Sequence, residues 1–342
     1  MLKAYMHRRE RYLAMLNDDR TVRPFAWGGE LIGLNNGGDT YKTTAETAAA
    51  FKKYAEESFE NSDEFFHLPE IADYSLNNDL LTWTSAVTTP SPENNTARTH
   101  FFPAKDRRAA VVILPHWNAR AGSYVNLCKI FNRMGMSALR VTLPYHEERR
   151  AEGETRAEQF VSPNVGRTLQ SVRQAVLDTR AAVRWLKQQG YARVGIVGTS
   201  IGSCTAFLAM VHDADIDATV FNHVSGYFAD VVWRGLSTYH VKEGLEKQVT
   251  LDELREYWLP ISPLPYMAKL KILSPRPMRF IYTLYDLTFP HDLSLQVRDE
   301  MTKAGIQADF SWLPCGHYTL GEKPWVYLDG WKIVSFLRKT LR

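Results

Sequence analysis

The sequence predicts an α/β fold in which helices cover both faces of a doubly wound, mostly parallel sheet. Two observations predict it: several short runs are continuously apolar, and helical segments follow most of these runs. Continuous apolar strands are typical of parallel sheets covered on both faces, and the alternation with helices is typical of right-handed crossovers. A chain of 342 residues, 45% of them hydrophobic, can also bury a large core.

The order of the elements follows from these patterns. Two segments separated by the turn-rich PSPENNT, 81–87 and 97–102, predict antiparallel strands at one edge of the sheet. Six apolar runs predict the parallel strands: 109–114, 137–143, 194–197, 218–221, 279–284 and 310–313. Helices are predicted among and after them at 124–133, 168–189, 203–211, 293–304 and 325–341.

Two departures from the alternation set the expected domain boundaries. Residues 1–80 are predicted to form a helical extension packed on the core, with one helix at 44–59. Residues 226–274 are predicted to form a helical cap insertion, which leaves 81–225 and 275–342 as the core. The cap is rich in aromatic residues, which either line a pocket or pack the insertion's own core: Trp233, Tyr239, Tyr257, Trp258 and Tyr266.

Composition argues against several classes of partner. The net charge of +3 comes from 41 basic and 38 acidic residues without a basic stripe, so we expect no nucleic-acid partner. No apolar run is long enough to span a bilayer, and the first residues lack a signal-peptide core. Three cysteines among apolar segments fit a reducing compartment, and we expect a cytoplasmic protein without a disulfide framework.

The stretch VGIVGTSIGSCTAF joins an apolar strand to a helix and contains G-x-S-x-G. Gly198 and Gly202 flank Ser200, as they would at a nucleophile elbow, where the serine takes a strained conformation and presents its hydroxyl. The Ile201 amide would then begin the helix, where an unpaired N–H favours developing negative charge. The alternative is a turn of small residues that matches the pattern by chance.

A serine nucleophile needs a base to take its proton and a carboxylate to orient that base. His317 follows a predicted strand and a glycine, in a position from which it could reach over the edge of the sheet. Asp286 lies just past the preceding strand, again at its carboxyl end. Asp292, six residues later, is the competing candidate for the acid.

The chain from about residue 81 to 342 resembles the α/β-hydrolase superfamily. The resemblance depends on the order Ser200, Asp286, His317, on an insertion after the sixth predicted strand, and on the D-x-x-x-P and G-H contexts of the acid and base. It implies that Ser200 is the nucleophile, His317 the general base and acid, and Asp286 its orienting partner.

The resemblance also implies that the loop after the 109–114 strand supplies a second oxyanion donor beside Ile201. Many family members have His-Gly there, whereas this chain has His116-Trp117-Asn118. Counted from the end of the 109–114 strand, the Asn118 amide is the first candidate for this donor and the Trp117 amide is the alternative. His116 is expected to brace the loop through hydrogen bonds and to lie beside the substrate.

The loop TLPYHEERRAEGETR follows the next strand at the same edge of the sheet. The first interpretation is a solvated, charged loop; the alternative is that Tyr145, His146 or Arg149 contacts a polar or anionic substrate group. Cys204 is expected to be a packed side chain and not a second nucleophile.

The predicted function is therefore a serine hydrolase that cleaves a small-molecule carboxylic ester through an acyl-enzyme. No metal is expected, because no ligand cluster has suitable spacing, and no cofactor, because no nucleotide-binding glycine motif is present. The alternatives are a catalytically inert ligand-binding or partner-binding member of the same fold, and a hydrolase of lipid acyl esters or amides. Assembly as a homodimer stays open.

Overall fold

The computed structural model describes residues 1–16, 18–34, 43–273 and 275–342. Within this part of the chain, nine strands form one sheet. They are β1 (Ser75–Asn77), β2 (Leu80–Thr84), β3 (Thr96–Phe102), β4 (Ala109–Leu114), β5 (Ser137–Thr142), β6 (Arg193–Thr199), β7 (Ala218–Asn222), β8 (Met278–Thr283) and β9 (Asp309–Leu313).

The sheet has the spatial order β1-β2-β3-β5-β4-β6-β7-β8-β9. The pairs β1–β2, β2–β3 and β3–β5 are antiparallel, and the pairs from β5 to β9 are parallel. The predicted architecture, an antiparallel edge on a mostly parallel sheet, is therefore confirmed. Because six strands run in parallel, their carboxyl ends meet along one edge of the sheet.

The described residues form twelve α-helices. They are α1 (Leu2–Met15), α2 (Thr44–Glu60), α3 (Ser62–Phe65), α4 (Val125–Arg133), α5 (Val165–Gln188), α6 (Ile201–His212), α7 (Phe228–Arg234), α8 (Tyr239–Leu245), α9 (Leu251–Tyr257), α10 (Met267–Ile272), α11 (His291–Ala304) and α12 (Trp325–Thr340). None of the helices in these residues is both long and apolar enough to cross a membrane.

The central strand β4 shows why both faces of the sheet must be covered. All six of its residues are buried. Ala110, Val112 and Leu114 belong to the apolar core beneath α5 and α6, whereas Val111 and Ile113 belong to a second core beneath α4 and α12. A strand of this kind has no face left for water, and its sequence is therefore apolar without alternation.

The structure contains a helix and a strand that the sequence patterns did not predict. Helix α1 was not predicted, because its sequence is mostly charged and aromatic and it buries only Met6, Glu10 and Ala14. The sheet begins at β1, whose three residues are all exposed and carry no apolar alternation. Part of the predicted N-terminal extension therefore forms the edge strand of the sheet. The insertion between β7 and β8 contains α7 to α10; its predicted last residue, 274, lies outside the described residues.

Candidate active site

Ser200 occupies a sharp turn between β6 and α6. Its backbone has φ 56° and ψ −121°, a conformation that side-chain-bearing residues rarely adopt and that costs of order 1–3 kcal/mol. Its N–H donates to the carbonyl oxygen of Asn222, at the end of β7, over 2.7 Å. The turn therefore holds the serine rigidly at the carboxyl edge of the sheet.

The two glycines of the motif are required by the neighbouring backbone. A Cβ at Gly198 would lie 2.1 Å from the carbonyl oxygen of Gly202. A Cβ at Gly202 would lie 2.4 Å from the carbonyl oxygen of Leu114, at the end of β4. Both distances are far below van der Waals contact, so only glycine lets the turn pack against β4.

Asp286 and His317 meet at the ends of β8 and β9. The Nδ1 atom of His317 lies 3.1 Å from the Oδ2 atom of Asp286. The other oxygen, Oδ1, accepts the N–H groups of Thr288 and Phe289, each over 2.7 Å. The carboxylate is 5% exposed and its plane is fixed by these bonds, so one oxygen faces the imidazole.

The electrostatics of this pair suit a general base and its orienting acid. Burial alone would lower the pKa of His317, but the Asp286 charge and hydrogen bond raise it above its ordinary value. Burial alone would raise the pKa of Asp286, but the charge and hydrogen bond of His317 hold it below its usual range. The carboxylate is thus ionised at neutral pH and stabilises a protonated ring.

A second histidine, His223, lies against the same carboxylate. Its Nε2 atom is 3.1 Å from the Thr283 hydroxyl and 3.4 Å from Asp286 Oδ2. Because the Thr283 hydroxyl donates to Asp286 over 3.1 Å, it must accept from His223, which assigns the proton to Nε2. Burial lowers the pKa of His223 to about 4, so this ring is neutral at pH 7.

Ser200 and His317 line one cavity of about 700 Å³. Residues of the helical insertion line one side of it, and residues of α4 and α12 line another. Its wall is mainly apolar and includes Phe228, Val231, Val232, Phe289, Leu127, Ile130 and Ile333. No hydrogen bond joins the Ser200 hydroxyl to the His317 ring, both of which the structure describes.

The three amides expected as oxyanion donors differ in their hydrogen bonding. The Ile201 N–H is the first amide of α6 and has no acceptor among the described residues. His146 Nδ1 donates to the Pro144 carbonyl oxygen, so His146 Nε2 is unprotonated and can accept a hydrogen bond. The Asn118 N–H donates to this nitrogen over 3.0 Å. The Trp117 N–H, in a residue that lines the cavity, has no acceptor in the described chain.

Three residues expected to contact substrate are buried elsewhere. Tyr145 and His146 are 1% and 3% exposed, and neither lines the cavity. Arg149 is fully buried and pairs with Asp178 over 2.8 Å. Tyr145, His146 and Arg149 are therefore structural, whereas Glu148, Glu152 and Thr155 of the same loop are exposed and its last residue, Arg156, lines the cavity. His116 does line the cavity, and its Nδ1 atom lies 2.8 Å from the Tyr124 hydroxyl.

The competing acid and the cap aromatics lie away from the cavity wall, whereas Cys204 lies on it. Asp292 is exposed and pairs with Arg234 through bonds of 2.7 and 2.9 Å, away from His317. Cys204 lines the cavity, but its buried thiol has a pKa raised by desolvation and lies 3.4 Å from the Ile261 carbonyl oxygen. The five cap aromatics are absent from the cavity wall; Tyr257, Trp258 and Tyr266 instead pack in the core.

One group of side chains has the composition of a metal site. Ligand atoms of His223, Asp286 and His317 lie within 4.8 Å of one another. Two of these atoms, His317 Nδ1 and Asp286 Oδ2, are hydrogen-bonded to each other. A metal ion would have to replace that bond, so the arrangement fits an oriented imidazole better than a metal ligand set.

Sequence reasoning missed His223. The signal was present, since the residue directly follows β7 and the carboxyl ends of parallel strands converge. Asp329, on α12, was also missed: its carboxylate accepts two 2.9 Å bonds from the Asn222 side chain, whose backbone holds Ser200. Burial raises the pKa of Asp329 to about 7. No local pattern marks this residue.

The chain has the α/β-hydrolase fold, as comparison with solved structures shows. An acylaminoacyl peptidase from Pyrococcus horikoshii superposes with a TM-score of 0.59 at 15% identity, over 82% of this chain and 43% of that one. An esterase from Pyrococcus furiosus has a TM-score of 0.51 at 14% identity, over 82% and 94% of the two chains. A cold-adapted esterase from an Arctic intertidal metagenomic library has a TM-score of 0.51 at 14% identity, over 79% and 98%.

This chain spans less than half the length of the peptidase, so the likeness to that protein concerns only part of it. No family model matches the sequence, and comparison with curated proteins finds no match. At these identities the likeness is one of fold.

Proposed function

We propose that the protein is a serine hydrolase that cleaves carboxylic esters through an acyl-enzyme. The observation that carries the proposal is that Ser200, in a strained elbow, lines the same cavity as His317, whose ring is oriented by a buried carboxylate. Strain of this kind persists where the surrounding structure enforces it, commonly at active sites.

The reaction follows from the positions of these groups. The Ser200 oxygen attacks the acyl carbon while His317 Nε2 takes the hydroxyl proton, and Asp286 stabilises the imidazolium. The ester C–O bond then breaks, and the alkoxide leaves with the proton from His317. Water, deprotonated by the same ring, attacks the acyl-enzyme, and the carboxylic acid departs as the Ser200 hydroxyl regains its proton.

The Ile201 and Trp117 amides are the proposed oxyanion donors. Ile201 contributes the first N–H of α6, where the helix dipole also favours negative charge. Trp117 replaces Asn118 in this role, because the Asn118 amide is engaged by His146. The Ser200 hydroxyl must come within hydrogen-bonding distance of His317 Nε2 for this reaction, and catalytic bonds of this kind often tighten only when substrate is present.

The apolar cavity favours esters with a hydrocarbon acyl group. Each methylene that becomes buried contributes about 0.8 kcal/mol, or about a fourfold gain in kcat/KM. Across p-nitrophenyl esters from acetyl to butyryl, we expect kcat/KM to rise accordingly. A matching anilide should react more slowly; faster anilide cleavage would instead favour a peptidase, the activity named for one structural neighbour.

A fluorophosphonate probe tests the proposal directly. Wild type should be labelled, and Ser200→Ala should not. Ser225→Ala is the matched control, because Ser225 also lines the cavity but its hydroxyl donates to the Tyr227 carbonyl oxygen over 3.0 Å. Equal labelling of all three would show that the probe reacts at a residue other than Ser200 and would contradict the proposal. No labelling together with no hydrolysis across the ester panel would favour the inert member of the fold.

A further inference from the structure

Helix α1, at the start of the chain, buries a carboxylate beneath the loop that carries His317. Glu10 is fully buried, although the basic residues of the same helix, such as Arg8 and Arg11, are exposed. Its Oε2 atom accepts the Tyr318 N–H over 3.0 Å, and its Oε1 atom accepts the Thr319 N–H over 2.8 Å. Both amides belong to the two residues that directly follow His317.

The loop is shaped around this carboxylate. A Cβ at Gly316 would lie 2.3 Å from the Glu10 carboxyl carbon, so a side chain there would exclude it. The Gly316 N–H donates to the Thr319 hydroxyl over 2.7 Å, which closes the turn. His317 is therefore flanked on both sides by residues that contact Glu10, and its backbone cannot move without breaking these bonds.

Glu10 also brings negative charge near the imidazole. Burial raises the pKa of Glu10 above its usual value, although the two N–H bonds and the charge of His317 favour its ionised form. Its charge acts in the same direction as that of Asp286, raising the pKa of His317 against the effect of burial. The other titratable groups around the ring are Asp286, His223, His116 and Tyr318.

We propose that Glu10 is a positioning residue of the active site: it fixes the loop that carries His317 and supplies, with Asp286, the negative charge that faces the protonated ring during turnover. Helix α1 is then a part of the catalytic apparatus and not an appendage. The consequence for turnover rests on the proposed function, whereas the effect on the His317 ring does not.

The charge is tested by titrating the ring itself. Histidine side-chain NMR on Ser200→Ala and on Ser200→Ala with Glu10→Gln compares the His317 midpoint without any need for activity; the signal is assigned by its loss in His317→Gln. The midpoint should move to lower pH when Glu10 is neutralised. Glu322→Gln is the matched control, because this half-buried carboxylate pairs with Arg9 of the same helix. The His317 midpoint should not move in that variant. An unmoved midpoint in the Glu10 variant overturns the proposal.

The positioning is tested by kinetics on the full chain. In Glu10→Gln, kcat should fall by about 10- to 100-fold with KM within twofold, since misplacement of a catalytic group by about 1 Å has an effect of this order. A lowered melting temperature with unchanged kcat would show a structural role only and would overturn the proposal.

The variant Glu10→Asp provides a second test in case Glu10→Gln does not fold. Glu10→Asp keeps the charge, but its side chain is one methylene too short to reach both the Tyr318 and the Thr319 amides, so kcat should also fall in this variant. A wild-type kcat in Glu10→Asp would refute the positioning role of Glu10. If wild type itself is not labelled at Ser200, the proposed function fails, and the NMR titration still decides the effect of Glu10 on the ring.

Discussion

The substitution Asp286→Asn tests the identity of the orienting acid most sharply. In the structure Oδ1 accepts two backbone N–H groups, from Thr288 and Phe289. An asparagine oxygen must take that position, because an NH₂ group there would face two donors. The amide nitrogen is thereby forced into the position of Oδ2, 3.1 Å from His317 Nδ1.

This forced orientation gives the expected magnitude. The NH₂ group donates to His317 Nδ1, so the ring carries its proton on Nε2, the atom that must accept the serine proton. The wrong tautomer lowers kcat by about 10⁴-fold in enzymes with a serine triad. At 1.36 kcal/mol for each factor of ten, this loss corresponds to about 5 kcal/mol of transition-state stabilisation.

The assay is hydrolysis of a p-nitrophenyl ester, with the melting temperature measured on the same samples. Asp292→Asn is the matched control, because Asp292 is exposed and pairs only with Arg234 among the described charged groups. We expect that control to stay within about twofold of wild type, since exposed ion pairs contribute little. The reasoning is refuted if Asp286→Asn retains a tenth or more of wild-type kcat, or if Asp292→Asn produces the large loss instead.

Three further predictions concern pH, the elbow and the core. Because only the neutral His317 ring accepts a proton and its pKa is raised, kcat/KM should fall as the pH drops through a value above 6.5, the ordinary histidine value; a profile that stays flat to pH 5 contradicts this. Gly202→Ala should cost about 3 kcal/mol or more of unfolding free energy by clashing with β4, whereas Gly330→Ala, in open space on α12, should stabilise by up to about 1 kcal/mol; denaturant titrations that find the two variants equal refute the clash. Asp178→Ala should cost about 3–5 kcal/mol by leaving Arg149 buried and unpaired, against less than about 0.5 kcal/mol for Asp292→Ala; similar losses in the two variants would show that burial does not determine the contribution of the pair.

The fold could be predicted because its signals are local. The apolar runs of β4 and β5 are buried at every position, and such runs are typical of strands covered on both faces. The elbow could be predicted for the same reason, since both of its glycines fall within five residues. By contrast, β1 has three exposed residues and no apolar pattern, so only its pairing with β2 reveals it.

The oxyanion loop could not be predicted because its conformation is set from outside. The Asn118 amide is engaged by His146, and the Asn118 side chain accepts the Ala157 N–H over 2.7 Å. Both partners lie at least 28 residues away along the chain. The position of the loop directly after β4 can be predicted from the sequence. Which of its amides stays without an acceptor cannot, because that depends on these distant partners.

The same distinction explains why the surroundings of His317 were only half predicted. Asp286 could be found because a strand end places it at the edge where His317 lies, and parallel topology brings such ends together whatever the sequence between them. Glu10 is 307 residues from His317 and belongs to no strand, yet it contacts the two residues that follow the histidine. A shared sheet edge is therefore a guide to which groups meet, whereas the loop that carries His317 is also hydrogen-bonded to an N-terminal helix that the sheet topology does not involve. Removal of α1 should consequently affect turnover even though the strands and the serine elbow remain intact.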